Sequence, residues 1–276
     1  MTLLKNNKLQ STRNNLIAFF ACFLVVIPVY IVIVNSLKDS AGARTMSAAL
    51  PETLHFENFI TVVERGKLAQ TFVNSMLYAT GATIVSTILA AMAAYILARN
   101  RTRLNRFVYF FVVMGIAMPL NFFTLTKVMQ ITQLINTQIG IIILYAATQI
   151  PFNVFLMFGF VDAIPQELDE AAIVDGCGPF RLFFSVILPL LMPIVVTAGV
   201  LNFVGIWNDF LLPLYYLNNS AYWPMTLAVY NFYGRFQQDW NLVSADILLT
   251  VLPVLVIYLF GQRFILSGLT AGAVKG

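Results

Sequence analysis

Long apolar runs recur along this sequence, and six of them have the length that a helix needs to cross a bilayer. Crossing the hydrocarbon core takes about 20 apolar residues, because a helix rises about 1.5 Å per residue. The six runs cover approximately residues 16–37, 72–98, 107–125, 139–161, 186–207 and 242–266. Each is continuously apolar, whereas the strands of a transmembrane β-barrel alternate in polarity. The sequence therefore predicts an all-α membrane protein with six transmembrane helices.

The composition excludes the ordinary soluble classes. Hydrophobic residues make up 59% of the 276 residues and charged residues only 10%, whereas about a quarter of a typical soluble chain is charged. The net charge of +4 could indicate a nucleic-acid partner, but the basic residues flank the apolar runs and no soluble basic domain is present. We therefore expect the lipid bilayer, and no nucleic acid, as a partner.

The basic residues predict which side of the membrane each segment faces, because cytoplasmic loops carry an excess of Lys and Arg. The amino-terminal tail is basic, and the link between the second and third runs contains Arg99, Arg101, Arg103 and Arg106 without an acid. With six helices, these two segments and the carboxyl terminus lie on one side. We expect both termini in the cytoplasm of a multi-pass protein of the plasma or inner membrane. The predicted organisation is a cytoplasmic tail at 1–15, one transmembrane domain at 16–266 and a cytoplasmic tail at 267–276.

No group of residues in the sequence indicates catalysis or metal binding. His55 is the only histidine, and the sequence contains no phosphate-binding glycine loop followed by Lys and Ser or Thr. Cys22 lies in the first apolar run and Cys177 in a polar segment, so we expect neither a disulfide nor a metal pair. The chain is predicted to have no catalytic residue, to bind no metal or cofactor itself and not to be an enzyme.

A polar segment at about residues 162–185 separates the fourth and fifth runs and carries five carboxylates. Pro165 suits the first turn of a helix, and acidic residues stabilise the amino end that follows it. Gly176 and Gly178 can end that helix, and Pro179 can begin a second one. The pattern predicts a helix–turn–helix along the membrane face. On these residues alone, it is either a docking surface for a partner or an amphipathic cap that holds two membrane helices together.

The spacing within this segment resembles the EAA signature of the permeases of ABC importers. The sequence reads Glu170-Ala171-Ala172, then Gly176 four residues after the second alanine, then Val186-x-Leu188-Pro189. Val186 departs from the family pattern, which usually has Ile. The resemblance implies a cytoplasmic coupling helix, between the fourth and fifth transmembrane helices, that sits in a cleft of an ATPase subunit. The residues that it implies in coupling are Glu170, Ala171, Ala172, Gly176, Leu188 and Pro189.

Two further stretches are similar to the MalG-type permeases of carbohydrate importers. They are Trp207-Asn208-Asp209-Phe210-Leu211-Leu212-Pro213 and the carboxyl-terminal Gly268-Leu269-Thr270-Ala271-Gly272-Ala273-Val274-Lys275-Gly276. The resemblance implies a sugar importer in which this chain pairs with a second, MalF-like permease. It also implies an extracytoplasmic sugar-binding protein and two cytoplasmic ATPase subunits, which bind the ATP and Mg. The tail residues implied in contact with the ATPases are Gly268, Thr270, Ala271, Gly272 and Lys275.

Several alternatives remain open at this point. Trp207, Asn208 and Asp209 either line the outer gate of a pathway or form an interfacial aromatic anchor with solvated polar neighbours. The solute could instead be an amino acid or a peptide. A secondary transporter is disfavoured, because Asp246 is the only acid near the interior of an apolar run and no inverted repeat is evident. The carboxyl-terminal tail by itself is expected to be disordered, since it has little apolar surface to bury.

Overall fold

The computed structural model describes the backbone of residues 2–233 and 239–273, and the side chains of residues 13–233 and 239–264. Within these ranges the chain forms helices and no β-strand. In chain order the α-helices are α1 (Thr2–Ser36), α2 (Ser40–Ala43), α3 (Glu57–Arg65), α4 (Leu68–Arg99), α5 (Arg103–Met114), α6 (Phe122–Ile131), α7 (Gln138–Ala163), α8 (Glu167–Val174), α9 (Pro179–Leu182), α10 (Leu188–Asn208), α11 (Leu211–Tyr216), α12 (Met225–Ala228) and α13 (Trp240–Ala273). A π-helical turn, Phe183–Ile187, joins α9 to α10.

Within the described residues, five helical segments are long and apolar enough to cross a membrane. They are Arg13–Ser36, Leu68–Arg99, Gln138–Ala163, Pro179–Asn208 and Trp240–Phe264. Each contains all or nearly all of one of the predicted apolar runs. The prediction of an all-helical membrane architecture is therefore confirmed for the described part of the chain.

The third predicted run, residues 107–125, is divided between two shorter helices. Helix α5 has 12 residues and ends before Gly115, and α6 has 10 residues and begins after Asn121. The Asn121 side chain accepts a hydrogen bond from the backbone N–H of Thr124 and so caps α6. Pro119 lies between the helices, where a missing backbone donor costs no helical hydrogen bond. Because each helix alone is shorter than the ~20 residues that a crossing requires, the count of six crossings stays a prediction.

The chain divides into two compact units, and the first comprises residues 1–69 and 228–252. Buried amides hold its parts together. The Asn58 side chain donates to the backbone carbonyls of Ser36 and Lys38, both at 2.8 Å, and accepts from Asn241 Nδ2 at 2.9 Å. One side chain thus joins the end of α1, the segment after it and the beginning of α13. The short connection between the first two membrane helices is therefore packed.

The second unit, residues 70–227 and 253–276, contains the core that positions the polar segment at 162–185. Small residues of α4 pack against larger apolar residues of α7, the π turn and α10, and small side chains allow helix backbones to approach closely. The central residues of this core are Ala90, Ala91, Ala94, Val154, Met157, Ile187, Leu191 and Ile194. The core extends into the polar segment through Ala172 and Leu182, which are buried against it.

The last helix continues further than the sequence predicts. Helix α13 extends through Ala273, so the backbone of the first seven residues of the predicted tail, 267–273, is helical. A helix that is already nucleated extends at low cost, because each added residue contributes a hydrogen bond. The tail residues Gly268, Thr270, Ala271 and Gly272 lie in this extension, beyond the side chains that the structure describes. Lys275 lies outside the described residues.

Candidate functional site

The polar segment forms the predicted helix–turn–helix. Ile164, the residue before Pro165, is extended, with φ of −79° and ψ of 126°, as the residue before a proline usually is. Helix α8 begins two residues after Pro165, which therefore lies outside the first turn in which it was predicted. Glu167, Asp169 and Glu170 occupy that first turn, where carboxylates interact favourably with the helix dipole.

The turn between α8 and α9 is a Schellman motif built on Gly176. The backbone N–H of Cys177 donates to the carbonyl of Ala172, and that of Gly176 donates to Ile173, both at 2.9 Å. These two hydrogen bonds satisfy carbonyls that the end of α8 leaves free. Gly176 has a φ of +80°, a conformation that costs a residue with a Cβ about 1–2 kcal/mol. The EAA signature therefore has glycine at a position where the backbone requires it.

The second half of the segment runs without a break into the membrane. Pro179 occupies the first turn of α9, and the π turn and α10 follow directly. The backbone N–H of Leu188 donates to Phe183, five residues earlier. A proline ring clashes with the carbonyl four residues before it, which for Pro189 is that of Ser185. The wider π turn lies at this point and accommodates the Leu188-Pro189 end of the signature.

An ion pair between Arg99 and Asp169 attaches α8 to the end of α4. Arg99 is the last residue of α4, and its Nε contacts Asp169 Oδ2. The Arg99 guanidinium also donates through Nη1 to the carbonyl of Ile164 at 3.0 Å. The two side chains are only 11% and 12% exposed. The pair therefore holds both the entrance and the first turn of α8.

A second, exposed ion pair lies beside the first. Arg101 Nη2 contacts Asp162 Oδ1, at the end of α7. In the sequence, Arg99 and Arg101 indicate membrane orientation, and neither contact is evident from it. The sequence nevertheless contains a signal for these ion pairs, because the arginine-rich link and the acidic segment are both expected on the same side of the membrane.

The outward side of the helix–turn–helix is an apolar patch with a charged rim. Val174 is 86% exposed and Phe180 is 71% exposed, and Ile173 is exposed beside them. Glu170 and Ala171 are also exposed, whereas Ala172 is buried in the core. The remaining charged residues of the rim are Glu167, Asp175 and Arg181. The signature thus has one side that packs against its own chain and another that is available to a partner.

The Trp207-Asn208-Asp209 stretch lies at the other end of α10, away from the helix–turn–helix. Trp207 is only 2% exposed and packs between Phe72 and Phe203, with ring centroids 5.9 and 5.7 Å away. Its position is therefore internal, and no solvated anchor is formed by this ring. Asn208 is exposed.

Asp209 is engaged by its own chain. Its Oδ2 accepts hydrogen bonds from the Tyr145 hydroxyl at 2.9 Å and from the backbone N–H of Leu212 at 3.2 Å, and its Oδ1 accepts from Leu211 N–H. The carboxylate therefore caps α11 and connects it to α7. Of the three residues considered for an outer gate or an interfacial anchor, only Asn208 is exposed.

The only histidine of the sequence lies in the connection between α1 and α3. Its ring contacts Thr53 Oγ1 at 2.9 Å and Glu57 Oε1. The hydrogen bond with His55 holds the pKa of the exposed Glu57 carboxyl below its usual range. Among the described residues, no group of three or more His, Cys, Asp or Glu side chains is arranged to hold a metal ion.

Comparison with known proteins agrees with these features. Residues 84–269 match the family described as the binding-protein-dependent transport system inner membrane component. The chain is 31% identical over 253 residues to a probable starch degradation products transport system permease protein of Thermoanaerobacterium thermosulfurigenes, covering 91% of this chain and 92% of that protein. It is 34% identical over 253 residues to the melibiose/raffinose/stachyose import permease protein of Bacillus subtilis, covering 91% of each.

A solved structure shares the fold over almost the whole chain. It is that of a bacterial ABC transporter involved in the import of the acidic polysaccharide alginate. The TM-score is 0.81 at 19% sequence identity, with 94% of this chain and 97% of that chain covered. The family match and the two relatives confirm the resemblance that rests on the EAA signature. This chain belongs to the binding-protein-dependent transport system inner membrane components, the membrane-embedded permease subunits of ABC importers.

Proposed function

We propose that this chain is a permease subunit of an oligosaccharide importer driven by ATP. The two relatives described above carry starch degradation products and melibiose, raffinose or stachyose according to their names, and each aligns over 91% of this chain. An importer for an amino acid or a peptide, and a secondary transporter, are the less favoured alternatives. In the proposed assembly this chain forms half of the translocation pathway, and a MalF-like permease forms the other half.

The observation that carries the proposed coupling role is the exposed apolar patch around Val174 and Phe180. Protein interfaces typically contain an exposed apolar patch with a charged rim. Here the chain itself holds the surface that carries this patch in place. We propose that it binds one of two cytoplasmic ATPase subunits, with Glu170 and Ala171 at the contact. Ala172, Gly176, Leu188 and Pro189 then give the surface its shape. ATP and Mg bind to the ATPases, and this chain binds no cofactor.

The proposed orientation has both termini in the cytoplasm and six membrane crossings within residues 16–266. The contact between Arg99 and Asp169 supports it, since it puts the arginine-rich link and the α8 segment at the same end of the second unit. In a variant without Cys22 and Cys177, a membrane-impermeant thiol reagent applied from outside should label a cysteine introduced at residues 218–221. It should leave a cysteine at residues 101–103 unlabelled, and the reverse pattern would exclude this orientation.

Two further contacts with partner subunits are proposed, one on the cytoplasmic side and one on the outer side. We place the tail, 267–276, against the ATPases, through Gly268, Thr270, Ala271, Gly272 and Lys275. We place Asn208 at the outer side, near the extracytoplasmic sugar-binding protein, with Trp207 and Asp209 supporting its position. The burial of Trp207 and the hydrogen bonds of Asp209 support this division between contact and support.

The test is transport by the complete complex in vesicles. The complex is reconstituted with its binding protein and supplied with a panel of oligosaccharides, amino acids and peptides. We expect ATP-dependent uptake of at least one oligosaccharide, unaffected by an ionophore that collapses ion gradients. Uptake of amino acids or peptides alone would show that the solute is not an oligosaccharide. Uptake that requires an ion gradient but no ATP would show that the chain is not part of an ATP-driven importer.

A further inference from the structure

A small pocket with one cationic side and one aromatic side lies where the end of α4, the beginning of α5 and the end of α7 meet. Its volume is about 260 Å³, and its lining includes Arg101, Arg106, Tyr109, Phe110 and Phe158. These residues belong to the second unit, in the turn between α4 and α5, the first turns of α5 and the end of α7. The pocket is separate from the proposed ATPase-binding patch.

The cationic side carries more positive charge than the chain itself neutralises. Asp162 and Asn105 also line the pocket. The Asp162 carboxylate contacts one nitrogen of Arg101, which leaves the other N–H donors of that guanidinium available. Within residues 13–233 and 239–264, the Arg106 side chain has no hydrogen-bond or ion-pair partner. Two guanidinium groups thus face one carboxylate, and the excess of one positive charge matches one phosphodiester.

The other side of the pocket is continuous with a surface that suits acyl chains. The rings of Tyr109 and Phe158 lie with their centroids 4.1 Å apart and form the wall. Phe110 lies at the mouth and is exposed, and Phe107 and Phe111 are exposed on the same helix. An exposed aromatic surface on an apolar helix of a membrane protein suits contact with lipid. The charged and apolar sides are therefore arranged as the headgroup and the tails of a phospholipid are.

We propose that this pocket binds the headgroup of an anionic phospholipid. The phosphodiester lies between the Arg101 and Arg106 guanidinium groups, which bind phosphate oxygens through paired N–H donors. The acyl chains lie along Phe110 and the exposed face of α5. Basic pockets between membrane helices are a recognised way of binding lipid phosphates, and this one does not depend on which solute the transporter carries.

The experiment measures lipid retention by native mass spectrometry. The assembled transporter carrying this chain is exchanged into detergent with equal amounts of phosphatidylglycerol and phosphatidylcholine. We expect preferential retention of phosphatidylglycerol by the wild type and about tenfold weaker retention by Arg106→Gln, from the loss of charge-assisted hydrogen bonds. Arg103→Gln is the matched control, because it removes the same charge from the same helix at a residue that does not line the pocket.

Each outcome decides the proposal. Equal retention of the two lipids by the wild type, or equal retention of phosphatidylglycerol by the two variants, would overturn it. Inorganic phosphate at the same concentration should not displace the lipid, and displacement would reassign the pocket to a free anion. If Arg106→Gln fails to assemble, Arg106→Lys serves instead. It keeps the charge but not the paired donors, so it should retain the lipid more weakly than the Arg103→Lys control.

Discussion

Arg99 and Asp169 form a buried ion pair although 69 residues separate them in the sequence. Arg99 ends the long helix α4, and Asp169 lies in the first turn of α8, directly before the EAA signature. Because the same guanidinium binds the carbonyl of Ile164, the entrance of α8 cannot move away from the end of α4 without breaking both contacts. A displacement of the apolar patch around Val174 and Phe180 would therefore act on α4 through Arg99 as well as on α10.

The first prediction concerns this pair. Arg99→Gln leaves the Asp169 carboxylate buried without a counter-charge, which costs about 3–5 kcal/mol when one partner of a buried pair is removed. Arg101→Gln breaks the exposed pair with Asp162 and should cost about 0–1 kcal/mol. Thermal unfolding of the purified complex and protease cleavage within residues 164–178 measure the two effects. Equal stability and equal cleavage of the two variants would contradict a positioning role for Arg99.

The second prediction separates the two glycines of the turn. A Cβ at either position would have open space around it, so packing does not distinguish them. Gly176→Leu should still cost about 1–2 kcal/mol, because only residue 176 has a positive φ. Gly178→Leu should stay within about 0.5 kcal/mol of wild type. The measurement is chemical unfolding of the complex, and a larger loss for Gly178→Leu would show that the conformation of the turn has been misread.

The third prediction tests the proposed interface. Glu170→Lys reverses a charge at the patch, and like charges brought together across an interface cost several kcal/mol. We expect the ATPase subunits to be retained at least about tenfold less well in pull-down, with unchanged membrane insertion. Glu64→Lys is the control, since it reverses the charge of another exposed glutamate, on α3. Wild-type retention by Glu170→Lys would remove Glu170 from the contact.

Some of these features follow from the sequence and others do not. The Schellman turn was predictable, because a glycine between a short acidic helix and a proline leaves few other arrangements. The long helices were predictable from the length and apolarity of their runs. The inward orientation of Asp169 was not, since Asp169 and Glu170 are chemically alike and neighbours on the same turn. Only the position of Arg99, on a different helix, distinguishes them.

The fourth prediction concerns the outer end of α10. Asp209→Ala leaves the buried Tyr145 hydroxyl without its acceptor and uncaps α11, which should cost about 1–3 kcal/mol. Tyr145→Phe removes the same hydrogen bond but leaves the cap, so it should cost less, about 0.5–1.5 kcal/mol. Asn208→Ala should leave stability unchanged and reduce sugar uptake at limiting substrate. Normal uptake by Asn208→Ala, measured in vesicles, would remove this residue from the outer gate.

The sequence also could not predict the break between α5 and α6 or the burial of Trp207. An apolar run that contains Gly115 and Pro119 is compatible with one kinked helix and with two separate helices. The outcome depends on local contacts such as the cap formed by Asn121. Likewise, a tryptophan next to two polar residues fits a membrane interface and a packed interior equally well. The ring contacts of Trp207 with Phe72 and Phe203 decide between them.

The fifth prediction concerns the carboxyl terminus. Deletion of residues 270–276 shortens the end of α13 and should leave the membrane helices folded, because it removes none of the core residues described above. If the tail contacts the ATPases, the deletion should lower the ratio of sugar transported to ATP hydrolysed when loaded binding protein is present. Both rates are measured on the same vesicles. Unchanged rates would mean that this end has no part in coupling.

The orientation of Asp169 and Glu170 has a consequence for how this chain evolves with its partners. A change at residue 169 must be compensated within the same gene, at residue 99, because the two charges share one buried site. A change at residue 170, in the proposed assembly, must be compensated in the gene of the ATPase. We therefore expect the two carboxylates to belong to separate sets of co-varying positions, with the boundary between those sets between two consecutive residues.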